Sequence, residues 1–413
     1  MIVKMLSTLY YVVYPTLFQI AIGILKNMKT ESFLWGDVTK TSFPILHSDI
    51  SCTWLIIGGG IAGLSVAHYL LEAGESDIVI IEKNTIGSGS TGYSAGMLVY
   101  EPEQAPWSLY IKKYGRKLAK TYIDSQLEAL SLVQTIIKKE KISCDFEKEY
   151  YLDLANSKPE LLEVLKNSQA RKELAQQTVT VQKEQLSEGL QSAGYIHAEK
   201  IFNEVSVNPL KFARGFANVL KNRGVRIYEK TQLLHSKKGV VTTSSGTITY
   251  GQTFSCLGTS DTASDIKKYV TSICVTRKLT RTELKNIGLT EKTMFIDDYK
   301  NSFFYGKVTA DRRILFGYGD VLLTTNKVPN PYRPHIKQIT QFTKKHFPIA
   351  LPFTHAWSAA YALSKKDIPV VKKTSYGFRI NGGGTQISTM VAAGYAVSIA
   401  LKKKHPLTNL FEK

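Results

Sequence analysis

The sequence predicts an α/β chain of about two domains, and three stretches carry that expectation. Trp54 to Glu82 reads as strand, glycine turn, helix, strand and acid. Ile266 to Pro352 alternates polar and apolar residues, the period of half-buried strands. Phe378 to Leu401 runs again from a strand through a glycine turn into a helix. With 413 residues, 43% of them hydrophobic, the chain can bury a large core.

In chain order, the first feature is Met5–Leu25, a run without charge between Lys4 and Lys26. It has the ~20 residues that a membrane span requires. Pro15, Gln19 and several hydroxyls oppose that reading, and no small-residue cleavage site marks a signal peptide. Two alternatives stand. Residues 1–27 are a span or anchor, or the native chain starts at Met28. Residues 28–50 form a lead-in.

Trp54–Ile57 is an apolar strand leading into Gly58-Gly59-Gly60-Ile61-Ala62-Gly63, a G-x-G-x-x-G turn. Leu64, Ala67, Leu70 and Leu71 follow at helical spacing, and a second strand, Ile78–Ile81, ends on Glu82. Gly58 permits the tight turn, Gly60 lets backbone approach a pyrophosphate, and Gly63 lets helix and strand pack closely. Ile61 and Ala62 open the helix, whose N-terminus favours a phosphate. Glu82 stands where an acid accepts hydrogen bonds from ribose hydroxyls. Together these predict a dinucleotide site.

Lys83 to Met97 is rich in Gly, Ser and Thr and follows the ribose acid directly. Such a loop can wrap a long ligand and donate hydrogen bonds to it, which favours FAD over NAD. The pattern E-K-x-x-I-G-x-G-x-T-G-x-S-A-G, with Glu82, Lys83, Gly89, Ser90, Thr91, Ser94, Ala95, Gly96 and Met97, resembles the D-amino-acid oxidase family of FAD-dependent oxidoreductases. That family includes glycine oxidase, sarcosine oxidase and the gamma-glutamylputrescine oxidoreductases. Ser32-Phe33-Leu34-Trp35 resembles the lead-in of the last group.

Further along, Ser108–Glu140 and Lys158–Glu188 have helical spacing, and Phe146–Leu154 reads as a strand. Leu210–Asn222 is an amphipathic helix, Val225–Tyr228 a strand, Val240–Tyr250 a hairpin and Thr253–Leu257 a strand. The resemblance implies an adenine contact near Leu233 and a pyrophosphate contact at Leu257-Gly258. Phe303 to Gly317 resembles the family's substrate-domain hairpin with three departures: Gly306 for a basic residue, Arg312 for the turn glycine, and Tyr318 for a second glycine. The substrate's identity therefore does not transfer.

His355-Ala356-Trp357-Ser358-Ala359 and Asp367-Ile368-Pro369 resemble the family's W-x-G and D-x-P elements. Asn381 to Ser388 resembles its flavin-contacting loop, so Gly383, Gly384, Thr385 and Gln386 are implied flavin contacts. Gln386 replaces a lysine found in some relatives, which would lower the flavin potential. Relatives with tethered FAD use a Cys near this loop or a His in the early loop. Neither is present at those positions, so FAD is expected to be non-covalent.

The resemblance implies a Rossmann-like FAD-binding domain of the glutathione-reductase type, assembled from residues 51–145, 200–265 and 351–413. An inserted, mostly antiparallel α+β substrate domain would comprise 146–199 and 266–350. The implied reaction is oxidation of an amine or amino-acid C–N bond, hydride passing to flavin N5 and the imine then hydrolysing. Tyr305, His355 and Trp357, with Tyr318, are the candidate catalytic or pocket-lining residues. Oxygen or a quinone is the expected acceptor. The alternatives are a membrane-associated dehydrogenase that reduces quinone, or oxidation of a glycine-like adduct on transfer RNA.

A net charge of +19 raises the question of an anionic partner. The charge is spread in lysine doublets such as Lys112-Lys113 and Lys372-Lys373, with no arginine-rich tract, so nucleic acid is not expected. Cys52, Cys144, Cys256 and Cys274 form no C-x-x-C, so no metal is expected and a reducing, cytoplasmic setting is. Membrane association through Met5–Leu25 stays open.

Overall fold

The computed structural model describes residues 33–37, 39–102, 105–297, 304–323, 328, 330–347, 349–366 and 368–412. Met5–Leu25, Ser32, Phe303 and Asp367 therefore lie outside the described residues. Two sheets organise the rest. The first runs in the order Val370–Thr374, Gly377–Asn381, Gly246–Ser255, Ile50–Ile57, Ile78–Ile81, Arg226–Tyr228. Its middle strands are parallel, with Trp54 beside Ile78 and Gln252. Ile78–Ile81 is buried at every position, as a parallel strand covered on both faces must be.

The helix Ile61–Glu72 covers one face of this sheet and packs against the helix Gln386–Ala400. The second helix is apolar all round because it is enclosed: Ile387, Met390, Val391, Ala392, Ala393 and Ala396 are buried in the same core as Leu64, Ala67 and Leu70.

The second sheet runs in the order Phe353–Ser364, Ile266–Thr276, Ile314–Leu322, Phe304–Val308, Thr293–Asp297, Glu147–Ala155, His197–Ser206, Met97–Leu98. Its neighbours are antiparallel except Thr293–Asp297 with Glu147–Ala155. Phe353–Ser364, placed by sequence in the last FAD-domain segment, pairs along its length with Ile266–Thr276. Met97–Leu98 likewise pairs with His197–Ser206. Both strands pass from the cofactor side into the second sheet, so the two layers are stitched together along the cleft between them.

Three local differences have physical causes. The helix expected over Ser108–Glu140 divides at Gly115 (φ +82°) into Trp107–Tyr114 and Arg116–Lys139. The long helix expected over Lys158–Glu188 ends at Glu173, beyond which Ala175 turns left-handed (φ +59°). The β-branched Thr178–Gln182 then adds a strand beside His197–Ser206. Arg333–His346 is a helix inside a stretch read as strands; Ile336, Ile339 and Phe342 give it a buried face.

Candidate active site

Between the sheets lies a cleft of about 1270 Å³, beyond the ~300–1,000 Å³ of ordinary small-molecule sites. One wall is built by the glycine turn. Gly58 has φ +116°, and a Cβ on it would lie 2.3 Å from the Cys256 carbonyl oxygen; one on Gly63 would lie 2.0 Å from the Gly58 oxygen. Only hydrogen fits at either position, so strand and helix meet closely enough to present Gly60, Ile61 and Ala62 to the cleft. Gly60 caps the helix with extended backbone and no side chain. Thr91 Oγ1 accepts the Ile61 N–H at 3.0 Å, tying the Ser/Thr loop to the helix start.

Glu82 lines the cleft with Lys83, its carboxylate accepting from Gly59 N–H at 2.8 Å and Asn84 N–H at 2.9 Å. Those bonds fix its orientation. Lys83 Nζ reaches across to Ser260 Oγ at 2.8 Å, beside Leu257 and Gly258 on the same wall. Gly89, Ser90, Thr91, Ser94, Ala95 and Met97 continue the lining. Gly58, Gly63 and Gly96 shape this wall from behind.

The wall ends at Gly383, Gly384, Thr385 and Gln386. Thr385 caps the following helix through Oγ1, which accepts from Ser388 N–H at 3.0 Å. Gln386 Nε2 donates to Ser94 Oγ at 2.8 Å, joining the early and late loops. Its Oε1 is buried with no hydrogen-bond partner among the described residues, an acceptor that a bound ligand can satisfy. Asn381 completes the wall. Its Nδ2 donates to Gly258 O at 2.8 Å and to Asp261 Oδ2 at 3.0 Å, and its Oδ1 accepts Gly382 N–H at 2.7 Å. Arg379 Nη1 holds Asp261 at 2.8 Å. This buried chain braces the Gly258 loop against the glycine run.

The opposite wall comes from the second sheet: Thr271, Tyr305, Tyr318 and Tyr361, with Tyr332 and His335 at the start of the helix Arg333–His346. Tyr305 Oη and Thr271 Oγ1 are 3.2 Å apart. His335 is 2% exposed, its Nδ1 at 3.1 Å from Ser272 Oγ and its Nε2 without a partner among the described residues. Burial pushes its imidazole down to about 4.

Of the sequence candidates, Tyr305 and Tyr318 line the cleft, whereas His355 and Trp357 do not. Trp357 is 2% exposed and donates from Nε1 to Tyr93 O at 3.0 Å, while Trp35 Nε1 donates to Ser94 O at 2.9 Å. The two indoles pin the loop from outside, which gives the lead-in a structural part. His355 Nδ1 is 2.8 Å from Thr354 Oγ1. Leu233 packs with Tyr228 and Leu257 against a core cluster and does not face the cleft. Sequence reasoning missed His335 and the bracing by Asn381, because neither belongs to a local pattern. Among the described residues, no group of His, Cys, Asp or Glu could hold a metal ion.

The glycine turn, the Glu82 carboxylate, the loop and the buried Gln386 acceptor thus fit an extended dinucleotide along one wall. Residues 53–398 match the family model described as FAD dependent oxidoreductase. The chain is 27% identical over 325 residues to gamma-glutamylputrescine oxidoreductase of Escherichia coli K12, covering 71% of this chain and 70% of that one. The fold resembles glycine oxidase from Geobacillus kaustophilus (TM-score 0.71, 16% identity, 87% of this chain and 98% of that one). It also resembles L-proline dehydrogenase from P. horikoshii (TM-score 0.71, 18% identity, 89% and 97%). With the cofactor wall, the second sheet and the match over residues 53–398 in agreement, the chain belongs to the D-amino-acid oxidase family of FAD-dependent oxidoreductases, and FAD is its cofactor.

Proposed function

We propose that the protein oxidises the C–N bond of a small amine or amino acid, with FAD along the glycine-turn wall and substrate against the tyrosine wall. The observation that best supports this is the continuity of one cleft past both walls. The names of the relatives agree with it, since they act on a glutamylated diamine, on glycine and on proline.

Bound FAD supplies a two-electron acceptor. The chain's residues do the holding. The backbone at Gly60 and Ala62 would meet the pyrophosphate, where a helix start favours negative charge, while Thr91 holds the Ile61 N–H. Glu82 and Lys83 hold the ribose end, and Gly89 to Met97 with Leu257 and Gly258 enclose the middle. Gly383 to Gln386 would hold the ring, where the second helix start would favour the charge gained on reduction. Tyr305 and Tyr318 orient the substrate and exclude water. The imine product hydrolyses on meeting solvent, giving a carbonyl compound and an amine or ammonia.

The test is a panel of amines and amino acids mixed anaerobically with the holoenzyme and read by bleaching of flavin absorbance. A protein whose flavin no member reduces does not carry this activity. The electron acceptor is oxygen or a quinone-type carrier. Peroxide at an oxygen electrode identifies an oxidase, and turnover with a quinone analogue alone identifies a dehydrogenase. Among the described residues no helix is long and apolar enough to cross a membrane.

A further inference from the structure

The charge of the cleft runs against the charge of the chain. The sequence carries 53 Lys plus Arg against 34 Asp plus Glu. The described residues lining the cleft include four acids, Glu82, Glu101, Glu163 and Asp320, and one base, Lys83; Glu101 is paired with the buried Arg171 and Glu163 with Lys166, and Asp320 is the acid on the second-sheet wall. Lys83 is engaged at the ribose end with Ser260. On the second-sheet wall the described lining holds no lysine or arginine, and His335 is a neutral imidazole at pH 7.

An α-amino acid brings a carboxylate into such a cleft, and a carboxylate stripped of water needs a guanidinium or ammonium beside it. The wall's hydroxyls are already committed in part: Tyr361 Oη donates to Asp320, and Tyr305 Oη is shared with Thr271. A cation, in contrast, finds what it needs. Asp320 is exposed on the wall, and Tyr305, Tyr318 and Tyr332 supply electron-rich rings. His335 Nε2 adds a buried ring nitrogen without a partner among the described residues.

We propose that the preferred substrates are amines that carry a second positive centre and no α-carboxylate, with Asp320 meeting the distant cation. The inference rests on the amine-oxidising reading above and narrows it.

The experiment compares three four-carbon compounds on the holoenzyme: 1,4-diaminobutane, butylamine and 2-aminobutanoate. Flavin bleaching should give the lowest KM for the diamine and the highest for the amino acid. Asp320→Asn should raise the KM for the diamine about tenfold or more, as loss of a charged contact does. It should leave butylamine within about twofold. Binding is read apart from turnover by the shift in flavin absorbance with the non-oxidisable tetramethylammonium ion and with acetate. A shift with the cation and none with acetate supports the inference. Preference for 2-aminobutanoate, a shift with acetate alone, or an Asp320→Asn enzyme unchanged toward the diamine overturns it while the amine-oxidising reading stands. Bleaching by none of the three sinks both.

Discussion

Asn381→Ala tests how the cofactor wall is held. The amide makes three contacts: to Gly258 O at 2.8 Å, to Asp261 Oδ2 at 3.0 Å and from Gly382 N–H at 2.7 Å. Two neutral bonds at about 1 kcal/mol and one charge-assisted bond at about 1.5–3 kcal/mol give an upper bound of about 3–5 kcal/mol. Asp261 keeps Arg379 and the Ala263 N–H, and water refills part of the gap, so about 2 kcal/mol is the expected net loss. If FAD must then order the Gly258 and Gly382 loops itself, its Kd rises by about 30-fold. The assay is titration of apoprotein with FAD by quenching of flavin fluorescence, with melting of the apoprotein alongside. Asn381→Asp sharpens it. A carboxylate set beside Asp261 repels it at neutral pH and shares a proton at lower pH, so FAD affinity should recover on acidification. A folded Asn381→Ala protein with wild-type FAD affinity would refute the bracing role.

Four further outcomes are expected. Glu82→Ala should weaken FAD binding by a few kcal/mol, since the carboxylate is the proposed ribose acceptor and also orients Gly59 and Asn84; normal flavin content in that variant removes the assignment. Gln386→Lys should retain FAD and raise its potential in a dye-referenced titration, because a cation at this buried site favours the reduced anion; an unchanged potential places residue 386 away from the ring. Acid or heat should release FAD intact and leave a colourless pellet, whereas yellow precipitated protein would reveal a tether. Because burial lowers the folded pKa of His335 from 6.5 to about 4, stability is full above pH 6.5 and falls as pH drops toward 4. The loss between pH 7 and pH 5 is about 2 kcal/mol, and His335→Gln should flatten that slope in urea titrations.

The cofactor wall was legible because its physics is local. Gly63 is dictated by the Gly58 carbonyl within one turn and Glu82 by the end of the adjacent strand, while Gly58 also answers to the distant Cys256 carbonyl. Gln386 was legible by the same logic at a second helix start. The tyrosine wall was less so. The helix Arg333–His346 lies in a stretch whose strands dominate the pattern, and His335 gains meaning only when Ser272, 63 residues earlier, is brought beside it. Trp357 shows the opposite case. Its motif singled it out for the pocket, but the indole holds the loop through Tyr93 O and stands outside the cleft. Asn381 was visible as a letter and not as a brace, because its partners Gly258 and Asp261 are more than a hundred residues away.

The helix Gln386–Ala400 has a consequence for how the protein is made. It packs on the helix Ile61–Glu72, and its first residue is joined to Ser94. The glycine turn is therefore synthesised early, while the late loop proposed to close around the ring emerges from the ribosome only near the end of translation. A nascent chain carries half a nucleotide groove with nothing to cover it. On the proposed reading, FAD is enclosed only once this last helix has docked on the first.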